Sequence, residues 1–389
     1  MTPLYQKFEF LIEHTDAGFK RYLFEEIAWD SRMVGIIGPR GVGKTTLVLQ
    51  YIKTQLDTKR ALYATADDLY FSQHRLYDVA DEFYKHGGEV LFIDEIHKYP
   101  EWSRELKNIY DAFPTLKVVF TGSSVLDILK GTADLSRRAL MYKLQGLSFR
   151  EYMRLYHGRD VEVHDLNRIV NHDVKWPREL RPLPLFADYL RRGYYPFGVE
   201  GELHHRLGQI VVQTLETDIP QFANLNVGTA RKLKQLLTII AESVPFKPNF
   251  SKIAAILGVS RNSLDDYFAY MEQAGLIAQL RSGALGIRGL GKVDKVYLDN
   301  PNLVYNLQAT QPNIGNLRET FFFNQMRLRH VVEAADRADF TLGAYTFEVG
   351  GKHKKQSQID QNSTSFIVKD DIEFGYRNII PLWAFGLTY

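Results

Sequence analysis

The chain has 389 residues, a hydrophobic content of 45%, a charged content of 24% and a formal net charge of +2. That length exceeds what one hydrophobic core usually supports, so two or three domains are expected, and the composition belongs to a folded globular protein and excludes a disordered one. The small net charge excludes bulk attraction to nucleic acid, leaving only local basic surfaces, and the lack of cysteine excludes disulfides, Cys-ligated zinc and thiol catalysis.

The opening residues Met1 to Phe10 lack a basic segment followed by an apolar one, and no apolar run approaches the roughly 18 residues needed to span a bilayer. A soluble, cytoplasmic protein without membrane contact is expected. Up to about Arg32, apolar residues recur at helical spacing (Phe8, Leu11, Ile12; then Tyr22, Leu23, Ile27), which predicts helices beside a first strand. Phe19 and Arg21 fit ordinary packing; contact with a nucleotide base is the alternative.

An apolar run (Val34, Ile36, Ile37) then leads into Gly38, Pro39, Arg40, Gly41, Val42, Gly43, Lys44 and Thr45, followed by Thr46 and a helical pattern. Every fixed position of G-x-x-x-x-G-K-[ST] is met between a strand and a helix, the context this phosphate-binding loop requires. Its glycines let backbone N–H groups curl around phosphate oxygens. Lys44 supplies a point charge, Thr45 a hydroxyl for Mg²⁺, and the helix its positive dipole end. Residues 60–64 read as a second strand, and the alternation of strand and helix predicts a parallel α/β sheet.

Four apolar residues, Val90 to Ile93, run straight into Asp94 and Glu95, as a buried parallel strand delivering two acids to the ligand crevice does. In a nucleoside triphosphatase Asp94 would hold the Mg²⁺ shell and Glu95 would polarise the attacking water. His97 and Lys98 read as surface or partner-facing residues. A third strand ending in Thr121, Gly122, Ser123 and Ser124 places hydroxyls to sense the γ-phosphate or orient water; a plain turn with a helix cap is the alternative. Arg137 and Arg138 follow. Arg138 is a candidate finger for transition-state charge, or else part of a basic turn paired with acids such as Asp127 or Asp134.

The motifs at 38–46, at 91–98 (Leu-Phe-Ile-Asp-Glu-Ile-His-Lys), at 121–124 (Thr-Gly-Ser-Ser) and at 147–152 (Leu-Ser-Phe-Arg-Glu-Tyr) resemble those of prokaryotic AAA-superfamily P-loop ATPases with a C-terminal restriction-nuclease-like region. The resemblance implies an ATPase domain, a winged helix and a PD-(D/E)xK-like domain. In that family a Gly-Arg pair precedes the Pro-Leu-Ser-Phe motif. Arg138 falls on that arginine, whereas Arg137 replaces the glycine and Gln145-Gly146 replaces Leu-Pro.

The expected fold class is α/β, in four parts: a P-loop AAA-type parallel-sheet core over 1–155, a helical lid or linker over 156–225, a winged helix over 226–300 and a degenerate nuclease-like α/β domain over 301–389. Prolines between Trp176 and Pro184 interrupt the linker, and the Gly193-Tyr-Tyr-Pro turn resembles one the family has there. After an amphipathic helix over 229–242, a helix starting at Ser251, a turn at Gly258 with Ser260 as cap, and a second helix ending at Gly275 predict a helix-turn-helix. The wing would carry Arg288, Lys292 and Lys295. Basic residues exceed acidic ones in this module, yet Asp265, Asp266 and Glu272 on the recognition helix would repel a duplex. DNA contact and a structural or protein-binding role both stay open.

Further on, Glu319 on a helix, then Asp339, then Glu348 on a strand imitate the carboxylates of a metal-dependent nuclease. Gly350 stands where the motif has lysine, and Lys352 lies two places later, so an inactive nuclease is expected. The sequence thus predicts an Mg²⁺-dependent ATPase that takes ATP and releases ADP, with turnover switching the arrangement of the later domains. Lys44, Glu95, Arg138 and Ser123 would be catalytic, residues 38–46 would hold nucleotide, and Thr45 and Asp94 would hold metal. The alternatives are a nucleotide-gated DNA- or protein-binding module with little turnover, and an active nuclease. A protein client and an oligomer are both compatible with the sequence.

Overall fold

The apolar run before the phosphate loop becomes β1 (Met33–Ile37), a strand buried along its whole length. The structure is a computed structural model that describes residues 1–122, 135–223, 225, 227–243, 245–283, 292–308, 311–351 and 364–389. It contains two compact units, Met1–Gln145 and Gly146–Tyr389.

In the first unit β1 joins β2 (Ala61–Thr65), β3 (Val90–Asp94), β4 (Lys117–Gly122) and β5 (Leu140–Lys143) in a sheet of order β2-β3-β4-β1-β5. All its pairings are parallel. Parallel strands need helical crossovers that cover both faces, which is why β1 and β3 read as unbroken apolar runs. The crossovers include α2 (Lys44–Gln55), α3 (Leu76–Lys85) and α4 (Trp102–Ala112), and α1 (Thr2–His14) precedes β1. Leu76, Val79, Ala80 and Phe83 bury one stripe of α3, and Trp102, Leu106 and Ile109 bury one of α4, the 3.6-residue spacing that fixes which face meets the sheet. The strand order has a direct consequence for the site. Because β4 lies between β1 and β3, its carboxyl end stands between the phosphate loop and Asp94.

The second unit begins with α5 (Phe149–His157), which opens on a reciprocal capping box. The Ser148 hydroxyl accepts the Glu151 N–H at 3.1 Å, and the Glu151 carboxylate accepts the Ser148 N–H at 3.3 Å. The same hydroxyl donates to the Tyr389 carbonyl at 2.6 Å. Further along, α6 (Val227–Ser243), α7 (Phe250–Leu257) and α8 (Arg261–Gln273) precede an antiparallel hairpin of β6 (Ile277–Ser282) and β7 (Val293–Leu298). Gly258, at φ +61°, ends α7 and Ser260 caps α8, as the turn signals predict. After α9 (Ile314–Met326) come β8 (Glu333–Ala334), β9 (Phe340–Leu342), β10 (Tyr345–Gly350), β11 (Ser365–Lys369) and β12 (Ile379–Pro381). The hairpin belongs to the same seven-stranded sheet, of order β12-β11-β10-β9-β8-β6-β7, so strands from both sides of residue 300 share one hydrogen-bonded layer. Among the described residues, no helix is long and apolar enough to cross a membrane.

Ser148 is fully buried and serves two backbone groups. Ser148→Ala should therefore destabilise the protein by about 2 kcal/mol, the upper end for a lost cap, read as a lower denaturation midpoint.

Candidate functional site

The carboxyl edge of the first sheet gathers the loop, the two acids and a set of hydroxyls. The chain leaves β1 at Gly38, where a side chain is impossible: a Cβ there would lie 2.1 Å from the Leu144 carbonyl oxygen. Gly43, at φ +96°, turns the loop into α2, a conformation that only glycine adopts without strain. Lys44 is 6% exposed and donates through Nζ to the carbonyls of Gly38 and Pro39, both at 2.8 Å. Its ammonium is thereby held across the mouth of its own loop. Val42 is buried and Thr46 is exposed.

Arg21, far upstream in sequence, braces this loop. Its buried guanidinium donates to the Val42 carbonyl and, at 2.6 Å, to the Gln145 carbonyl. Of the two readings of Arg21, packing is the one the structure shows, with a polar purpose that periodicity does not reveal. Gln50 of α2 donates at 2.8 Å to the carbonyls of Asp16 and Phe19, tying the segment before β1 to the helix.

Asp94 ends β3 at 4% exposure and accepts hydrogen bonds from three hydroxyls. Thr45 of α2 reaches Oδ2 at 2.5 Å, Tyr63 of β2 reaches the same oxygen at 2.7 Å, and Thr121 of β4 reaches Oδ1. Burial, followed by the charge and hydrogen bond of Asp94, pushes the Tyr63 pKa far up, so the phenol stays protonated and remains a donor. Sequence reasoning missed Tyr63. The one signal was a phenol inside an otherwise apolar strand.

Glu95 follows in the left-handed conformation, φ +51°, uncommon for a residue with a side chain and costing on the order of 1 kcal/mol. Its N–H donates to the Thr121 hydroxyl at 3.3 Å, so one threonine serves both acids. The Glu95 side chain is 22% exposed, which leaves it open to water where Asp94 is not. His97 corrects the expectation of a surface residue: its imidazole is only 3% exposed, with Nε2 3.4 Å from Glu95 Oε2. Burial, then the charges of Lys98, Arg40 and Lys44, push its pKa down to about 3, so the ring is neutral.

Arg138 is held elsewhere. Its guanidinium makes a bidentate pair with Asp111 of α4, both contacts at 3.1 Å, and lies 5.8 Å from the Tyr110 ring. Asp111 is a partner the sequence reading did not name. Ser123, Ser124, Asp127 and Asp134 lie outside the described residues, as do Arg288 and Lys352.

The donor set fits a hydrated Mg²⁺ on a nucleotide. Thr45 and Asp94 offer adjacent hard oxygens beside a helix N-terminus, and Mg²⁺ ordinarily takes one or two carboxylates plus substrate phosphates. Among the described residues no group of three or more histidines or acids gathers as an all-protein metal cage.

In the second unit Glu319 and Asp339 come together as the sequence predicts, but around Lys295. Its Nζ lies 3.2 Å from Glu319 and 2.9 Å from Asp339, while the Tyr297 hydroxyl donates to Glu319 at 2.8 Å. Burial opposes the Lys295 charge, yet the two carboxylates hold its pKa above the ordinary lysine value. Burial and then Asp339 raise Glu319 above the usual carboxylate range. Lys295 is therefore an internal counter-ion and no exposed phosphate contact. Other cations of this module are paired as well: Arg281 with Glu272 at 2.7 Å, Lys247 with Asp294 at 3.1 Å, and Arg261 with Asp265 at 3.4 Å.

Residues 30–153 match a family model described as an AAA domain (AAA_14), and residues 183–313 match one described as a domain of unknown function (DUF8612). Among curated proteins the chain is similar to "Uncharacterized protein MJ1637" of Methanocaldococcus jannaschii, 26% identical over 270 residues, which cover 64% of this chain and 56% of that protein. The match thus spans about half the length of that relative. Among solved structures it is similar to the Walker-type ATPase PABY2304 of Pyrococcus abyssi, at TM-score 0.44 and 14% identity, covering 74% of this chain and 95% of that one. It is also similar to the Hsp104–ADP complex of S. cerevisiae, at TM-score 0.30 and 16% identity, covering 69% and 37%. The stretch matched by the AAA domain model contains the phosphate loop, both acids and Thr121.

Proposed function

We propose that this chain is an Mg²⁺-dependent ATPase whose one hydrolytic site is the loop at 38–46 together with Asp94 and Glu95. The observation that carries this reading is the pairing of a buried carboxylate, Asp94, bonded to the loop's own Thr45, with a solvent-accessible one, Glu95, at the next position. Lys44 would grip the β- and γ-phosphates, and Thr45 and Asp94 would hold the metal. Bound Mg²⁺ would neutralise charge building on the phosphate oxygens. Glu95 would take a proton from water as its oxygen bonds the γ-phosphorus. The bond from that phosphorus to the β,γ-bridging oxygen breaks, and ADP and phosphate leave. Thr121 keeps both acids in place and would report the γ-phosphate, with Ser123 assigned beside it on sequence grounds. Arg138, engaged by Asp111, is assigned no role at the site of its own chain.

The finer reading is that nucleotide state moves the second unit, in which we assign residues 226–300 as a winged helix and 301–389 as a degenerate nuclease-like domain. It draws support from Arg21, which couples the loop at Val42 to Gln145, the last residue before the second unit begins. Three cations of the helix-turn-helix module, Arg281, Lys247 and Arg261, are engaged by Glu272, Asp294 and Asp265, which weighs against phosphate contact by those three; DNA stays an open partner. A protein client and self-association belong to this proposal as open partners.

Steady-state phosphate release from ATP and Mg²⁺ should fall by about 10²-fold or more in Glu95→Gln with nucleotide binding retained, whereas Lys44→Ala should lose binding as well. Wild-type protein that binds ATP and releases phosphate no faster than these variants would sink the enzyme reading and favour a nucleotide-gated binding module. The nuclease alternative is met by Lys295→Met. If Lys295 is a counter-ion, its removal strands two partly buried acids and destabilises the fold by about 2 kcal/mol at pH 8. A carboxyl whose folded pKa is raised loses stability as pH climbs above its unfolded value, so this deficit should shrink at pH 5. Chemical denaturation at the two pH values reads the effect. Metal-dependent DNA cleavage by the wild type, abolished in Glu348→Ala, would reverse the inactive assignment.

A further inference from the structure

We propose that His97 is a positioning residue for Glu95: its buried imidazole donates from Nε2 to the Glu95 carboxylate and fixes the direction in which that carboxylate faces water. The inference rests on the ATPase reading above and adds a residue and a geometry to it.

Two observations carry it independently. Both imidazole nitrogens of His97 are buried and lack a hydrogen-bond partner, an expensive state for a group that is always a donor at one nitrogen. The polar group facing Nε2 is Glu95 Oε2, at 3.4 Å, just beyond a formed bond. The backbone restricts where Glu95 can go, since its Cα is held at φ +51° by the N–H bond to Thr121 and the turn at Ile96–Lys98 follows at once. With the backbone pinned, the direction of the carboxylate is set by its side-chain torsions, and a buried donor two residues on bears on them.

Charge explains why histidine suits this place better than lysine or arginine. Burial first, then the charges of Lys98, Arg40 and Lys44, holds the imidazole neutral even beside the Glu95 carboxylate. A neutral donor orients Glu95 without neutralising it, whereas a permanent cation would form an ion pair and weaken the carboxylate as a base. Catalytic hydrogen bonds that are long in a free enzyme commonly tighten when substrate binds.

The test is a cycle on the full-length protein, reading kcat and KM for ATP and the affinity for ADP. His97→Leu should lower kcat by about ten- to a hundredfold, the range for a misdirected catalytic group, with KM and ADP affinity changed by less than about threefold. His97→Gln, which returns an N–H donor near the position of Nε2, should recover most of the loss. The double variant His97→Leu/Glu95→Gln should be no slower than Glu95→Gln alone, because the two residues act as one unit. Three results would each overturn the assignment: wild-type turnover in His97→Leu, losses that multiply in the double variant, or no recovery in His97→Gln despite unchanged ADP binding. The first reading fails separately, by Glu95→Gln turning over like the wild type.

Discussion

The first unit depends on how the charge of Asp94 is accommodated. Burying a carboxylate costs several kcal/mol unless it is hydrogen-bonded or paired. Here the compensation comes from hydroxyl dipoles supplied by three separate elements, Tyr63 on β2, Thr45 on α2 and Thr121 on β4. Dipoles stabilise the charge without cancelling it. The carboxylate therefore sits beside a helix N-terminus and Lys44 with no cation among the described residues that donate hydrogen bonds to it, the setting in which the proposed Mg²⁺ would be held. The same three bonds fix the register of the sheet's carboxyl edge, because each element must end where its hydroxyl can reach one carboxyl group.

That edge follows from strand order. With β4 inserted between β1 and β3, the loop and the acidic strand are kept apart by one strand width, and Thr121 fills the gap. The Thr121 hydroxyl donates to Asp94 and accepts from Glu95, so the acid that would hold metal and the acid that would meet water cannot move independently. Arg21 does the corresponding work on the other side, where the loop's backbone carbonyl at Val42 would otherwise face a buried environment unpaired.

What could be read from the sequence was whatever is written in contiguous residues. The loop, the apolar strand ending in Asp94 and Glu95, and the turn at Gly258 with its cap at Ser260 each occupy a short stretch whose chemistry is local, and a parallel α/β sheet follows from the alternation of strand and helix around the loop. Tyr63, Arg21, His97 and Lys295 were missed or misread for a common reason. Each acts on a partner chosen by tertiary packing: Asp94 is 31 residues from Tyr63, Gln145 is 124 from Arg21, and Asp339 is 44 from Lys295. His97 is the instructive case, since the acid nearest its ring, Glu95, is close in sequence and only burial, which the pattern Ile-His-Lys does not announce, separates a surface residue from an internal one.

Two gatherings of acids among the described residues differ in what balances them. Asp94 is met by hydroxyls. Glu319 and Asp339 are met by the ammonium of Lys295, with the Tyr297 hydroxyl added. A cation ordered inside the fold pays no association cost, so a metal competing for those carboxylates would have to displace a covalently tethered charge and strand it in a partly buried place. A pair of carboxylates is open to a metal only where the fold withholds its own cation: Lys295 fills that place between Glu319 and Asp339, whereas hydroxyls are what the described residues bring to Asp94 at the end of β3.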